Sequence, residues 1–111
     1  MDINVQKKGE NLIVHLSGEL DHHTSNLFRE KIDRELKKGI YDNLVLDLSN
    51  LSFMDSSGIG AVLGRYKKIK SQNGQVFACG MNEQVKKLAE MSGLTKVINY
   101  YQNLSELERK L

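Results

Sequence analysis

The sequence predicts an α/β fold: a small mixed, mostly parallel sheet with flanking helices, in the order β-β-α-β-α-β-α-β-α. Three observations predict it. Apolar residues alternate with polar ones in two short stretches near the start, over 3–6 and 12–17, joined by the turn-like Lys8-Gly9-Glu10-Asn11. Two later runs, Asn43-Leu44-Val45-Leu46-Asp47-Leu48 and Gln75-Val76-Phe77-Ala78-Cys79, are nearly all apolar, as strands covered on both faces are. The stretches between and after them repeat apolar residues at helical spacing. Strands that alternate with helices imply right-handed parallel crossovers, and the initial hairpin adds an antiparallel edge.

Each element has its own signal. Ile3 and Val5 alternate with Asn4 and Gln6 in the first strand, and Leu12, Val14 and Leu16 with Ile13, His15 and Ser17 in the second. Gly18-Glu19-Leu20-Asp21 breaks the alternation, and Asp21 or Thr24 is placed to cap the next helix. Leu27, Phe28, Ile32 and Leu36 form that helix's apolar face, and Lys37-Lys38-Gly39 ends it, with the glycine expected in the left-handed conformation. After the third strand, Leu51-Ser52-Phe53-Met54-Asp55-Ser56-Ser57-Gly58 leads into a helix with Ile59, Val62, Leu63, Tyr66 and Ile69 inward, closed by Asn73-Gly74. Asn82 is a good cap for a helix over 83–91, with Val85, Leu88, Ala89 and Met91 facing the core and Gly93 closing it. A last short strand is expected over 97–101. A terminal helix is expected over 105–111, with Leu104, Leu107 and Leu111 inward.

Composition narrows the function classes. A chain of 111 residues fits one domain, 1–111, and buries roughly two-thirds of its unfolded surface. With 40% hydrophobic and 27% charged residues, it has the make-up of a folded globular chain. A net charge of +2 gives no reason to expect direct nucleic-acid binding, and Lys67-Lys68 and Lys86-Lys87 read as solvated helix faces. Cys79 is the only cysteine, so no internal disulfide can form and a reducing compartment is natural. The first ten residues lack the apolar core of a signal peptide, and no apolar run approaches a membrane span. The expected location is the cytoplasm, with no membrane partner.

Two adjacent hydroxyls, Ser56 and Ser57, follow Asp55 at a predicted helix start. As a nucleophile elbow the stretch lacks the first glycine of G-x-S-x-G. A serine nucleophile also needs a base, and His15, His22 and His23 all precede the serines, against the order of α/β hydrolases. No catalytic residue is assigned. Gly58-Ile59-Gly60-Ala61-Val62-Leu63-Gly64 has partial dinucleotide-fingerprint spacing. Roughly ten residues separate it from the predicted strand, where the fingerprint needs a tight turn, and the following strand has no acid for a ribose. Gly60 and Gly64 are instead expected to let the helix pack close to the sheet. His22 and His23 beside Asp21 do not share a face well enough for a metal site, so no metal or cofactor is expected. Ser, Asp and Gly suit a helix N-terminus, where exposed N–H groups and the positive dipole end also favour an anion. A phosphoryl group there adds roughly −1.5 to −2 charges that the local fold tolerates and a docked partner would meet. Spacing alone does not choose between Ser56 and Ser57.

Three motifs carry a family resemblance: Gly18-Glu19-Leu20-Asp21-His22-His23-Thr24, Leu51-Ser52-Phe53-Met54-Asp55-Ser56-Ser57-Gly58, and Leu63-Gly64-Arg65-Tyr66-Lys67. Met91-Ser92-Gly93-Leu94 and Val85-Lys86-Lys87-Leu88 fit as well. The chain closely resembles the sulphate-transporter and anti-sigma-antagonist (STAS) domain, and more narrowly the sporulation-type anti-sigma factor antagonists. The resemblance implies a binding protein and not an enzyme. Its partners would be an anti-sigma factor that is also a serine kinase, with its ATP or ADP, and a serine phosphatase. The unphosphorylated form would bind the anti-sigma factor and free a sigma factor, and phosphorylation would end binding. The phosphoacceptor position maps to Ser56, and Ser57 is then the candidate helix cap. Asp21, His22, Asp55, Ser57, Gly58 and Ile59 map to the partner-binding surface. The alternatives are a general-stress antagonist of the same family, or a small nucleotide-binding domain.

Overall fold

The structure, a computed structural model, describes all residues from Met1 to Leu111. The elements are β1 (Asp2–Lys8), β2 (Asn11–Leu20), α1 (Ser25–Leu36), β3 (Asn43–Met54), α2 (Ser56–Lys70), β4 (Gln75–Cys79), α3 (Glu83–Met91), a 3-10 turn (Leu94–Lys96), β5 (Asn99–Tyr101) and α4 (Leu104–Glu108). The five strands lie in the order β1-β2-β3-β4-β5. β1 and β2 are antiparallel, and all later neighbours are parallel. Chain order equals spatial order, so successive right-handed crossovers put α1, α2 and α3 on one face. No helix is long and apolar enough to cross a membrane.

The sheet is apolar on both faces because its central strands are nearly continuous apolar runs. One face gives Leu12, Val14, Leu16, Leu44, Leu46, Leu48, Val76 and Ala78 to a large core with Phe28, Ile32, Val62, Ile69, Val85 and Ala89 from the three helices. The other face carries a smaller cluster, Ile13, Val45, Phe77 and Cys79, covered by Leu107 of α4. Full burial of a Leu, Phe or Met side chain stabilises by about 1.5–3 kcal/mol, and Phe28, Leu44, Leu46 and Met54 are all fully buried.

The structure departs from sequence expectation where the chain bends. β2 does not stop at Ser17, and β3 does not stop at Leu48. The β2–β3 ladder runs on to Leu20 and Met54 through register shifts between His15 and Ser17 and between Gly18 and Glu19. Gly18 sits there at φ 102°. A bulge adds a residue without ending the ladder, and so it breaks the period-two pattern while the strand continues. β5 begins at Asn99, because Leu94–Lys96 form a 3-10 turn first.

Three side chains expected to face the core, Leu27, Met91 and Leu111, face solvent. Leu27 is 51% exposed and Met91 78% exposed. The core uses Ser25, Phe28 and Ile32 of α1, and Val85 and Ala89 of α3. α4 ends at Glu108, which leaves Leu111 exposed. Gly39 does not take the left-handed conformation, because α1 already ends at Lys37: the N–H of Lys37 donates to Asp33 O and that of Lys38 to Glu35 O.

Candidate functional site

The long ladder brings two turns together. Leu20 and Met54 are paired at the ends of β2 and β3, so the residues that follow them, Asp21 and Asp55, start neighbouring loops. Asp55 donates its N–H to Leu20 O at 3.3 Å. Its backbone is extended, and its carboxylate then faces the start of α2. Oδ1 accepts from Gly58 N–H at 3.1 Å, and Oδ2 accepts from His22 N–H at 3.0 Å. One carboxylate therefore caps α2 and ties the β2–α1 loop to it.

Asp21 organises its own loop. Its Oδ1 accepts from the N–H of His23 at 2.9 Å and of Thr24 at 3.1 Å. Its N–H donates to Thr24 Oγ1 at 2.9 Å, and that hydroxyl donates to Glu19 O at 2.8 Å. Thr24 makes no side-chain bond to a helix N–H, so Asp21 orders the approach to α1 from outside the helix. Burial works to raise the Asp21 carboxyl. The N–H groups of His23 and Thr24, the Thr24 hydroxyl and the nearby His23 outweigh it, and the carboxyl sits below its ordinary value.

Ser56 is the first residue of α2 and is exposed, while Ser57 is half-buried. Neither hydroxyl has a hydrogen-bond partner within the chain. The expectation that Ser57 caps the helix is corrected: Asp55 is the cap. The physical reason is position. A cap must lie just outside the helix to reach the amide three residues on, and Ser57 is already inside the first turn.

Gly58 and Ile59 lie beneath the surface. A Cβ on Gly58 would stand 2.5 Å from Leu20 O and 2.7 Å from Met54 Cγ. The close approach of α2 to the sheet thus belongs to Gly58. A Cβ on Gly60 or Gly64 would meet nothing within 4 Å, so the packing role expected for those two is corrected as well. Their spacing reads as a pattern, but the helix passes closest to the sheet at its first turn. Only Asp55 separates β3 from α2, so the long gap expected between the strand and the glycine run is not present and is no ground against a dinucleotide turn. The second ground remains: β4 carries no acidic residue.

His22 and His23 are exposed, with ring centroids 5.4 Å apart. No group of three candidate ligands could hold a metal ion. His15 is elsewhere, its Nδ1 2.7 Å from Asp47 Oδ2 on the α4 face of the sheet. Burial works to raise the Asp47 carboxyl, but bonds from Ser49 and His15 hold it below its ordinary value. Cys79, buried beside Asp47, has its thiol pushed up to about 12 by burial first and the neighbouring carboxylate second, which makes it a poor nucleophile.

Asn82 caps α3 as expected, accepting from Val85 N–H at 2.9 Å. It also reaches back to the end of β3, with Nδ2 3.0 Å from Ser52 O. Gln84 does more: it bonds to both the N–H and the C=O of Met54, the residue before Asp55. Sequence reasoning passed over Gln84, since an exposed glutamine on a helix carries no local sign of a partner thirty residues away.

Comparison with known proteins supplies the family. Residues 2–107 match the STAS domain. The chain belongs to the STAS family. Within that family, this STAS protein is 48% identical over 101 residues to the anti-sigma F factor antagonist of Paenibacillus polymyxa, covering 87% of this chain and 86% of that one. It also superposes on the unphosphorylated anti-sigma factor antagonist SpoIIAA, with a TM-score of 0.77, 25% identity and coverage of 98% and 96%. The phosphorylated form of the Bacillus cell fate determinant SpoIIAA matches with a TM-score of 0.76, 28% identity and coverage of 99% and 100%. Within the STAS family, the chain groups with the anti-sigma factor antagonists.

Proposed function

We propose that residues 1–111 form a single cytoplasmic STAS domain that antagonises an anti-sigma factor of the sigma-F type, and that Ser56 is its switch. The observation that carries this is an exposed, unbonded hydroxyl at the first position of α2, beside a cap supplied by Asp55. The unphosphorylated form docks on an anti-sigma factor that is itself a serine kinase. Asp21, His22, Asp55 and Ser57 offer the contact surface, and Gly58 and Ile59 support it from below. The partner supplies the base and ATP, whose terminal phosphoryl group passes to Ser56 Oγ. A serine phosphatase later hydrolyses that ester.

The charge logic follows from the geometry. A phosphate on Ser56 would add roughly −1.5 to −2 charges. The N–H groups of the first turn and the helix dipole tolerate it. No Lys or Arg side chain pairs with Asp21 or Asp55; the ion pairs of the chain lie elsewhere. The new charge is therefore presented outward, to whatever is docked.

Incubation with an anti-sigma factor serine kinase and ATP, followed by mass spectrometry, should place one phosphate on Ser56. Modification at another residue, or none, refutes the assignment. In a binding titration, Ser56→Ala should retain affinity and Ser56→Asp should lose it, with partial recovery in high salt, which screens charges beyond about 3 Å at 1 M. The 48% identity with an anti-sigma F factor antagonist favours this branch over the general-stress one. A nucleotide-binding domain is disfavoured by the acid-free β4, and the chain alone should show no nucleotide affinity.

A further inference from the structure

β3 outruns one of its neighbours. Its ladder with β4 ends at the pair Asp47 and Cys79, whereas its ladder with β2 continues to Leu20 and Met54. Beyond Asp47 the β4 side of β3 has no strand beside it. Met54 is fully buried there. Asp55 turns its N–H towards β2, to Leu20 O. Successive residues of a strand direct their backbone groups to opposite neighbours, so those of Met54 face the missing strand. Buried backbone groups must be paired, and water does not reach these.

Side chains from the start of α3 fill the gap. Met54 N–H donates to Gln84 Oε1 at 3.2 Å, and Gln84 Nε2 donates to Met54 O at 2.9 Å. Asn82 Nδ2 lies 3.0 Å from Ser52 O and 3.3 Å from Leu51 O. A carboxamide holds a donor and an acceptor side by side, as a peptide edge does. Gln84 thus serves as one residue of the absent strand.

We infer that Gln84, backed by Asn82, is a positioning residue for Ser56. It fixes Met54, which fixes Asp55, which caps α2 and sets where the Ser56 hydroxyl is presented. This rests on Ser56 being the phosphoacceptor. Transfer needs that hydroxyl in line with the kinase-bound phosphate, and a shift of about 1 Å can cost up to about 100-fold in rate.

Gln84→Leu removes both hydrogen bonds and leaves a shorter, apolar side chain in their place. Lys87→Ala, on the same helix, serves as control. Amide exchange at Met54 should accelerate by about 10-fold in Gln84→Leu and stay unchanged in the control. With an anti-sigma factor serine kinase and ATP, well below the unfolding temperature, kcat for Ser56 should fall about 10-fold, with KM changing less. If Gln84→Leu does not fold, Gln84→Glu, which keeps only the acceptor for Met54 N–H, should give the same changes at smaller size. Unchanged exchange at Met54, or unchanged kcat, overturns the inference. So does a loss of kcat that tracks the unfolded fraction and vanishes on cooling. An unmodified Ser56 in the parent chain defeats the phosphoacceptor reading and the positioning role together. A parent modified at Ser56 beside an unaffected variant defeats the positioning role alone.

Discussion

Ser56 and Gly58 are two residues apart on one turn of α2 and answer to opposite demands. Ser56 faces outward and can change without touching the core. Gly58 has the carbonyl of Leu20 and the side chain of Met54 where a Cβ would go. Gly58→Ala forces α2 off the sheet and should cost about 1–3 kcal/mol, a typical overpacking penalty. Gly60→Ala, with open space around it, should instead stabilise by about 0.5–1 kcal/mol, since alanine is the better helix former. Thermal melts of the two variants check the pair: melting temperatures that move in the same direction would contradict this geometry. Both glycines are visible in the sequence, but nothing local says which of them touches the sheet. That depends on where the helix meets β2.

At the scale of elements, the start of α2 is joined to the β2–α1 loop through Asp55. Asp55→Ala removes the cap of α2 and the acceptor for His22 N–H in one step. The loss of an N-cap alone costs about 0.5–2 kcal/mol. The expected result is a lower denaturation midpoint together with faster amide exchange at Gly58 and His22. Asp55→Asn keeps an acceptor for one of the two bonds and should lie between. If His22 exchanges at the parent rate in Asp55→Ala, the loop is held by something else. The sequence made Asp55 a natural helix-start residue, but its second bond crosses between loops 33 positions apart. Similar distance hides the contact of α1 with α2. There Arg65, only 7% exposed, places Nε 3.1 Å from Asp33 Oδ1. Burial pulls the Arg65 guanidinium below its ordinary value, partly countered by the Asp33 charge. In the sequence Arg65 is one more cation on an amphipathic helix.

For the whole molecule, the α4 face of the sheet holds the clearest response to acid. His15, Asp47 and Cys79 stand in one row across β2, β3 and β4. The Asp47 carboxyl is depressed in the folded chain, so the unfolded chain takes up its proton first as pH falls. Its stabilisation is present above the unfolded value and is lost as pH falls through the folded one. Asp47→Asn should therefore be less stable than the parent near neutrality, with the gap narrowing as pH falls through and below the ordinary carboxylate range. Denaturant unfolding at a series of pH values measures it. A gap that stays constant with pH would mean that the Asp47 charge contributes nothing.

Local signals in the chain were enough for the α/β class, the order of elements, the antiparallel edge and the helix-start chemistry around Asp55-Ser56-Ser57-Gly58. Each depends on residues within a turn or two of one another, where periodicity and capping act. Strand ends, the identity of the cap, the glycine at the closest packing point and the part played by Gln84 emerged only in the folded chain. The bulges near Gly18 shift register without leaving a period to read, and the bond partners of Asp55 and Gln84 lie some thirty positions away. Contacts at that distance are set by which strands pair and where one strand stops short of its neighbour. No stretch of the chain carries that information on its own.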